Sequence, residues 1–247
     1  MKKHISVFGL FARSSIFKVL GILLLMCAVE ATVFYFELQG ALEAFEATGS
    51  MISLERTFAM AATNVYFRLA LVLVTVVLCL PGCRFKSEPG YTLCRLSVSE
   101  SATFLHQAAY NALVYVMLIA AQLVAVFAMA RYYVAVAPTE LVSNQTVTLA
   151  FYRSDFLHSL LPMEDVALWI RNGLLVVSLG IAAAEFPYKQ RRHKFSAAAM
   201  AMVTYTIVWF EQSIGRPGQT VVTLIIFLIV ISEVAYSLAK KEEEEGA

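Results

Sequence analysis

Near its C-terminal end the sequence reads TVVTLIIFLIVISEVAYSLA, an apolar stretch from Thr220 to Ala239 with Glu233 as its one charged residue. A helix needs about 20 mostly apolar residues to cross a hydrocarbon layer about 30 Å thick, and this stretch meets that requirement. Five further stretches meet or approach it: residues 16–36, 57–80, 107–130, 165–184 and 195–214, with the C-terminal span taken as 219–239. The second stops at Pro81-Gly82, a helix terminator, and the fourth is expected to end before Phe186-Pro187. Between the last two lies Gly215-Arg216-Pro217-Gly218, a tight turn that forces an antiparallel hairpin. The first run is too long for a signal peptide and is followed by no small-residue cleavage site.

Composition closes off the alternatives. Of the 247 residues, 60% are apolar and 15% charged, against roughly 45–50% and about 25% in soluble domains. Such a chain cannot cover its apolar surface with charge, which argues against a soluble enzyme and a disordered tail. A net charge of +1 provides no basic field for nucleic acid. The expected fold is therefore an all-α, polytopic membrane protein of one domain, residues 1–247, with six transmembrane helices.

Lysine and arginine orient it. One set of flanks holds Lys2, Lys3, Arg13 and Lys18, then Arg84, Lys86 and Arg95, then Lys189, Arg191, Arg192 and Lys194, then Lys240 and Lys241. The other holds Arg56, Arg131, Arg153 and Arg216. Both termini are thus expected in the cytoplasm, and the multi-pass chain in a bacterial inner membrane. The sequon Asn144-Gln145-Thr146 falls on the outer side and has no meaning in such a membrane.

Outside the spans, residues 4–18 place Ile5, Phe8, Phe11 and Ile16 near helical spacing among basic residues, the pattern of an interfacial amphipathic helix. Residues 38–56 suit a short helix at the outer surface. The outer loop, residues 131–164, carries Val147, Leu149, Phe151, Phe156, Leu157, Leu160 and Leu161, the face of a short helix that rests on the headgroups or caps the bundle. The tail KKEEEEGA, residues 240–247, is a solvated end. Cys27, Cys79, Cys83 and Cys94 lack a second Cys/His pair at zinc spacing and are read as small packing residues.

The cytoplasmic loop, residues 81–106, contains Tyr91-Thr-Leu-Cys-Arg-Leu-Ser-Val-Ser99, with Glu100 in the first turn of the helix that follows. Leu93, Leu96 and Val98 would be exposed beside the membrane unless a cytoplasmic partner covers them. This segment, with the six-span layout, resembles the permease subunits of ATP-binding-cassette transporters of the type-2 exporter class. Ser97 stands where that family usually has proline, and the turn near Gly215 replaces the family's re-entrant helices. The resemblance implies a separate ATPase subunit docking on Tyr91, Leu93, Arg95, Leu96, Val98 and Glu100. It also implies a second permease, identical or not, and export of a lipid-like, peptide or drug-like substrate by alternating access. No G-x-x-x-x-G-K-[ST] motif is present, nor H-E-x-x-H, paired aspartates or G-x-S-x-G, so no catalytic residue, metal or cofactor is assigned. An ion-coupled secondary carrier and a non-transporting scaffold or accessory subunit are the alternatives.

Ionisable groups inside spans cost about 2.5–3.5 kcal/mol each at the centre, which makes them candidates for function. Glu30, Arg68 and Arg171 fall at similar depth below the outer boundary, with Gln122 beside them and Glu211 shallower. One polar layer is expected: Glu30 paired with Arg68 or Arg171, either fixing helix register or lining a cargo path or gate. Arg171 could also snorkel outward. Glu185 is expected to reach the cluster Lys189–Lys194, and Glu233 to face a partner helix. His106 reads as an interfacial residue. Gly173, Gly180 and Ala182–Ala184 give span four a small face for close packing.

Overall fold

The computed structural model describes residues 2–49, 52–80, 100–138, 142–143, 145–190, 196, 198–211 and 218–246. Every regular element among them is an α-helix: α1 (Lys2–Thr48), α2 (Leu54–Met60), α3 (Thr63–Cys79), α4 (Glu100–Val136), α5 (Thr146–Arg153), α6 (Asp155–Leu160), α7 (Val166–Gln190), α8 (Ala198–Trp209) and α9 (Gly218–Gly246). Three stretches are long and apolar enough to cross a membrane: Phe8–Thr48, Ser101–Val136 and Val166–Gln190. The pair α2 and α3, bent by 50°, qualifies as a fourth if counted as one span. Met200–Trp209 and Val221–Tyr236 are apolar but shorter.

The bundle is built on α4. On one side α1 runs parallel to it, as the successive contacts Phe8 to Tyr110, Ser15 to Tyr110, Cys27 to Ala121 and Glu30 to Gln122 show. On the other side α7 runs antiparallel, with Tyr188 against Phe104 and Gly180 against Ala108 and Ala112. The α4–α7 seam is closest at Gly180, where a Cβ would lie 2.9 Å from both Ala108 O and Ala112 N. Asn111 Nδ2 donates to Gly180 O at 3.4 Å in the same place. Thr75 and Tyr115 hydroxyls, 2.8 Å apart, tie α3 to α4. Helix α8 begins beside Glu185 and ends with Phe210 against Phe67 and Phe156. Helix α9 returns alongside α7 to bring Glu233 to Lys189. The end carrying α2, α5 and α6 is called the upper end below. At the upper end Phe151 stacks on Phe127 at 5.3 Å, and Phe156 and Leu157 are buried, so the loop helices cap the bundle.

Four sequence expectations change. Residues 4–18 form no separate interfacial helix; they open one 47-residue helix, α1, about 70 Å long at 1.5 Å per residue. Part of the expected apolar face has a protein partner: Phe11 and Ser15 are buried, and Ser15 and Phe8 meet Tyr110 of α4. The same helix absorbs most of the short helix expected at residues 38–56. The stretch 57–80 is not one rod. It breaks at Ala61-Ala62, and Ala62 takes the left-handed conformation at φ 49°, which costs an L-residue about 1–2 kcal/mol. The fourth stretch does not end before Pro187, which lies inside α7. Proline leaves the carbonyl four residues earlier, Ala183 O, without its helical N–H; Cys79 Sγ lies 3.9 Å from that oxygen and donates to it. The helix formed from residues 195–214 is shorter than expected, and Glu211 lies beyond the end of α8.

Candidate functional site: a charged cleft at the broken helix

Where α2 breaks from α3, the two halves part and leave a cleft of about 360 Å³ at the upper end of the bundle. Its walls are Glu55, Arg56, Phe58 and Ala59 of α2, Thr63 and Asn64 of α3, the α5–α6 corner Arg153–Phe156, and Glu211. The local sequence explains the construction. Asn64 and Arg68 are four residues apart and share one face of α3. Glu211, freed from α8, reaches both: Asn64 Nδ2 donates to Glu211 Oε1 at 2.6 Å, and Arg68 Nη2 lies 3.0 Å from Glu211 Oε2. Both partners of that ion pair keep some exposure, 29% for Arg68 and 27% for Glu211, so neither pays the full cost of burial. Above them Arg153 Nη1 donates to Glu55 Oε1 at 3.4 Å and joins α5 to α2. The cleft therefore carries arginines and carboxylates together beside the aromatic rings of Phe58 and Phe156. Elsewhere on the loop, a hydrogen bond from Tyr152 to the Glu164 carboxylate raises the phenol above its ordinary range.

The expected polar layer is distributed over three places. Arg68 and Glu211 meet at the cleft. Arg171 is fully buried behind it and does not snorkel. Its Nη2 donates to Asn172 Oδ1 at 2.9 Å, and its guanidinium lies 5.7 Å from the centroid of the Phe210 ring. Asn172 in turn donates to Ser159 O of α6 at 2.8 Å, so Asn172, held by Arg171, ties the cap to α7. Glu30 meets neither arginine. It lies on the α1–α4 seam, where Gln122 Nε2 donates to its Oε2 at 2.9 Å.

Residues 81–99 lie outside the described residues, and with them Tyr91, Leu93, Arg95, Leu96 and Val98. Glu100 opens α4, as the expected helix start requires. Asn144 and the turn at residues 215–217 also lie outside the described residues. At the lower end Glu185 Oε1 lies 2.7 Å from Lys189 Nζ, Ser196 Oγ donates to Glu185 Oε2 at 3.1 Å, and Lys189 also pairs with Glu233. Glu233 thus does face a partner helix, and Glu185 reaches the first member of the basic cluster. Among the described residues no group of three His, Cys, Asp or Glu side chains is placed to hold a metal ion.

Sequence reasoning missed Glu55, Asn64, Arg153 and Asn172. Asn64 had a signal in its four-residue spacing from Arg68. The other three come together only through the fold. No family model, curated protein or solved structure matches the chain.

Proposed function

We propose that this chain is the membrane-spanning permease subunit of an ATP-driven exporter, with six crossings, both termini in the cytoplasm of a bacterial cell, and the upper end facing outward. In this reading a separate ATPase subunit docks on residues 81–106, through Tyr91, Leu93, Arg95, Leu96, Val98 and Glu100, and a second permease completes the pathway. The cargo is lipid-like, peptide or drug-like.

The observation that supports a transport role is the charged cleft. A bundle built only for stability would close the α2–α3 break with apolar side chains. Here the break opens on Arg56, Asn64 and Glu211, with Arg68 paired to Glu211 beside it and the Glu55–Arg153 pair at the rim. The Glu55–Arg153 pair at the rim contributes about 0–1 kcal/mol, so it can part and widen the mouth of the cleft while the buried Phe151, Phe156 and Leu157 keep the cap on the bundle. The cleft then serves as the outer station of the cargo path. The broken helix also favours a second reading, an ion-coupled carrier, since discontinuous helices line the binding sites of that class.

The deciding experiment purifies the tagged chain in mild detergent, identifies what is retained and measures ATP hydrolysis. We expect a retained ATPase that is lost on Arg95→Glu with Leu96→Asp. We also expect Arg68→Gln and Glu211→Gln to keep the complex but lower export about tenfold, the scale of a 1.4 kcal/mol loss. No ATPase, together with gradient-driven uptake by the isolated chain in liposomes, would replace the proposal by the carrier. Neither ATPase nor flux would leave a scaffold.

A further inference from the structure

Glu30 sits near the middle of the apolar stretch Phe8–Thr48 and is completely buried against α4. Its surroundings on the α1–α4 seam are apolar, with Met26, Phe34, Ala125 and Val126 all buried in the same core. Its one hydrogen bond comes from a neutral amide, Gln122 Nε2. Among the described residues no lysine, arginine or histidine forms an ion pair with it, and no side chain of α2 or α3 bonds to it. The charges on those two helices belong to the cleft: Glu55 pairs with Arg153, Arg68 pairs with Glu211, and Arg56 lines its wall. The titratable neighbour is Cys27, three residues earlier on α1 itself, whose thiol donates to Ala121 O.

Two further atoms complete the picture. Glu30 Oε1 and Gln122 Oε1 are both buried and both without a hydrogen-bond partner. Buried acceptors are nearly always satisfied, so a pair of unsatisfied oxygens on two side chains already joined to each other asks for an explanation. A single hydrogen between them satisfies both.

We propose that Glu30 and Gln122 form an intramembrane proton-binding site, in which a proton on Glu30 Oε1 donates to Gln122 Oε1 while Gln122 Nε2 donates to Glu30 Oε2. A planar carboxylic acid and a planar amide then share a ring of two hydrogen bonds. The terminal torsions of glutamate and glutamine are soft enough to bring the two planes into line. Binding adds one proton from water to the carboxylate; release returns it and leaves a negative charge with one amide donor. The site is neutral when loaded, which is what an apolar seam between two long helices demands. The ligand is the proton itself, and the site stands apart from the cleft in residues and in helices.

Infrared spectra of the purified full chain in lipid nanodiscs at pH 7 test this. A C=O band of a protonated carboxyl group is expected that disappears in Glu30→Gln and shifts in Gln122→Leu, which removes the acceptor. The Glu30→Gln protein should melt within a degree or two of the wild type, because two amides close the same ring. Absence of a Glu30-dependent band at pH 7 would overturn the proposal. So would a Glu30→Gln chain that fails to fold or melts many degrees lower, since that would mean the ionised form is the one the seam requires.

Discussion

Replacing Gly180 by valine is expected to abolish recovery of folded, monodisperse protein, and Gly180→Ala to lower its melting temperature by several degrees. The cause is local and steric. A Cβ at this position lies 2.9 Å from the backbone atoms Ala108 O and Ala112 N of α4, so no side chain can rotate out of its way. The helices must part, and α7 is not free to move, because α8 and α9 pack on it as well. Overpacking of this kind costs about 1–3 kcal/mol for a methyl group and more for a branched side chain. The bond from Asn111 to Gly180 O is lost with the same displacement. Gly173, two turns earlier on α7, is the control: nothing lies within 4 Å of the position of its Cβ. There alanine should be neutral or stabilising by up to about 1 kcal/mol, the helix preference of alanine over glycine. Thermal melting of the two alanine variants in one detergent separates a packing role from general intolerance of substitution on α7. Equal behaviour of the two would refute the close seam.

The second large effect is expected at Lys189. Its ammonium is the cation shared by Glu185 and Glu233, and the Glu185 side chain is 1% exposed. Lys189→Met would leave Glu185 buried with Ser196 Oγ as its remaining donor in that cluster. Removing one partner of a buried pair costs about 3–5 kcal/mol, chiefly because the other charge is left uncompensated. The melting temperature should therefore fall by roughly 6–20 °C for a chain of this size. Neutralising the orphan should restore most of it: Lys189→Met with Glu185→Gln should melt well above Lys189→Met alone. Failure of the second substitution to rescue would show that packing of the lysine stem, not charge, holds α7 to α9.

What the sequence made legible follows from length. Each apolar run falls in a helix or a helix pair, and those in Phe8–Thr48, Ser101–Val136 and Val166–Gln190 belong to helices long and apolar enough to cross a membrane. Position along a helix was countable too, since rise per residue is fixed, and Glu30, Arg68 and Arg171 fall on three separate helices, α1, α3 and α7. Azimuth was not. Two residues at one depth meet only if their helices turn those faces together, and Glu30 faces α4 while Arg68 faces the end of α8. The break at Ala61-Ala62 has no glycine or proline to announce it. Contacts from far along the chain flank it: Tyr133 Oη donates to Ile52 O at 2.8 Å ahead of α2, and Asn64 Nδ2 donates to Glu211 Oε1 at 2.6 Å just after the break. Pro187 misled in the opposite sense, because the thiol that serves its orphaned carbonyl belongs to another helix. The fusion of residues 4–18 into α1 is the same lesson: an amphipathic face announces that something apolar covers it, and here Tyr110 of α4 covers part of it, at Phe8 and Ser15.

The charged cleft is a candidate station on a transport path only if it opens away from the cytoplasm while the loop at residues 81–106 opens into it. Single cysteines in a chain whose Cys27, Cys79, Cys83 and Cys94 are changed to alanine report this directly. Arg153, with 62% of its side chain exposed at the cleft rim, marks one face, and Leu93 marks the other. A membrane-impermeant maleimide applied to intact cells should label Arg153→Cys at once and Leu93→Cys only after permeabilisation. Labelling of Leu93→Cys in intact cells, with Arg153→Cys protected, would contradict the account.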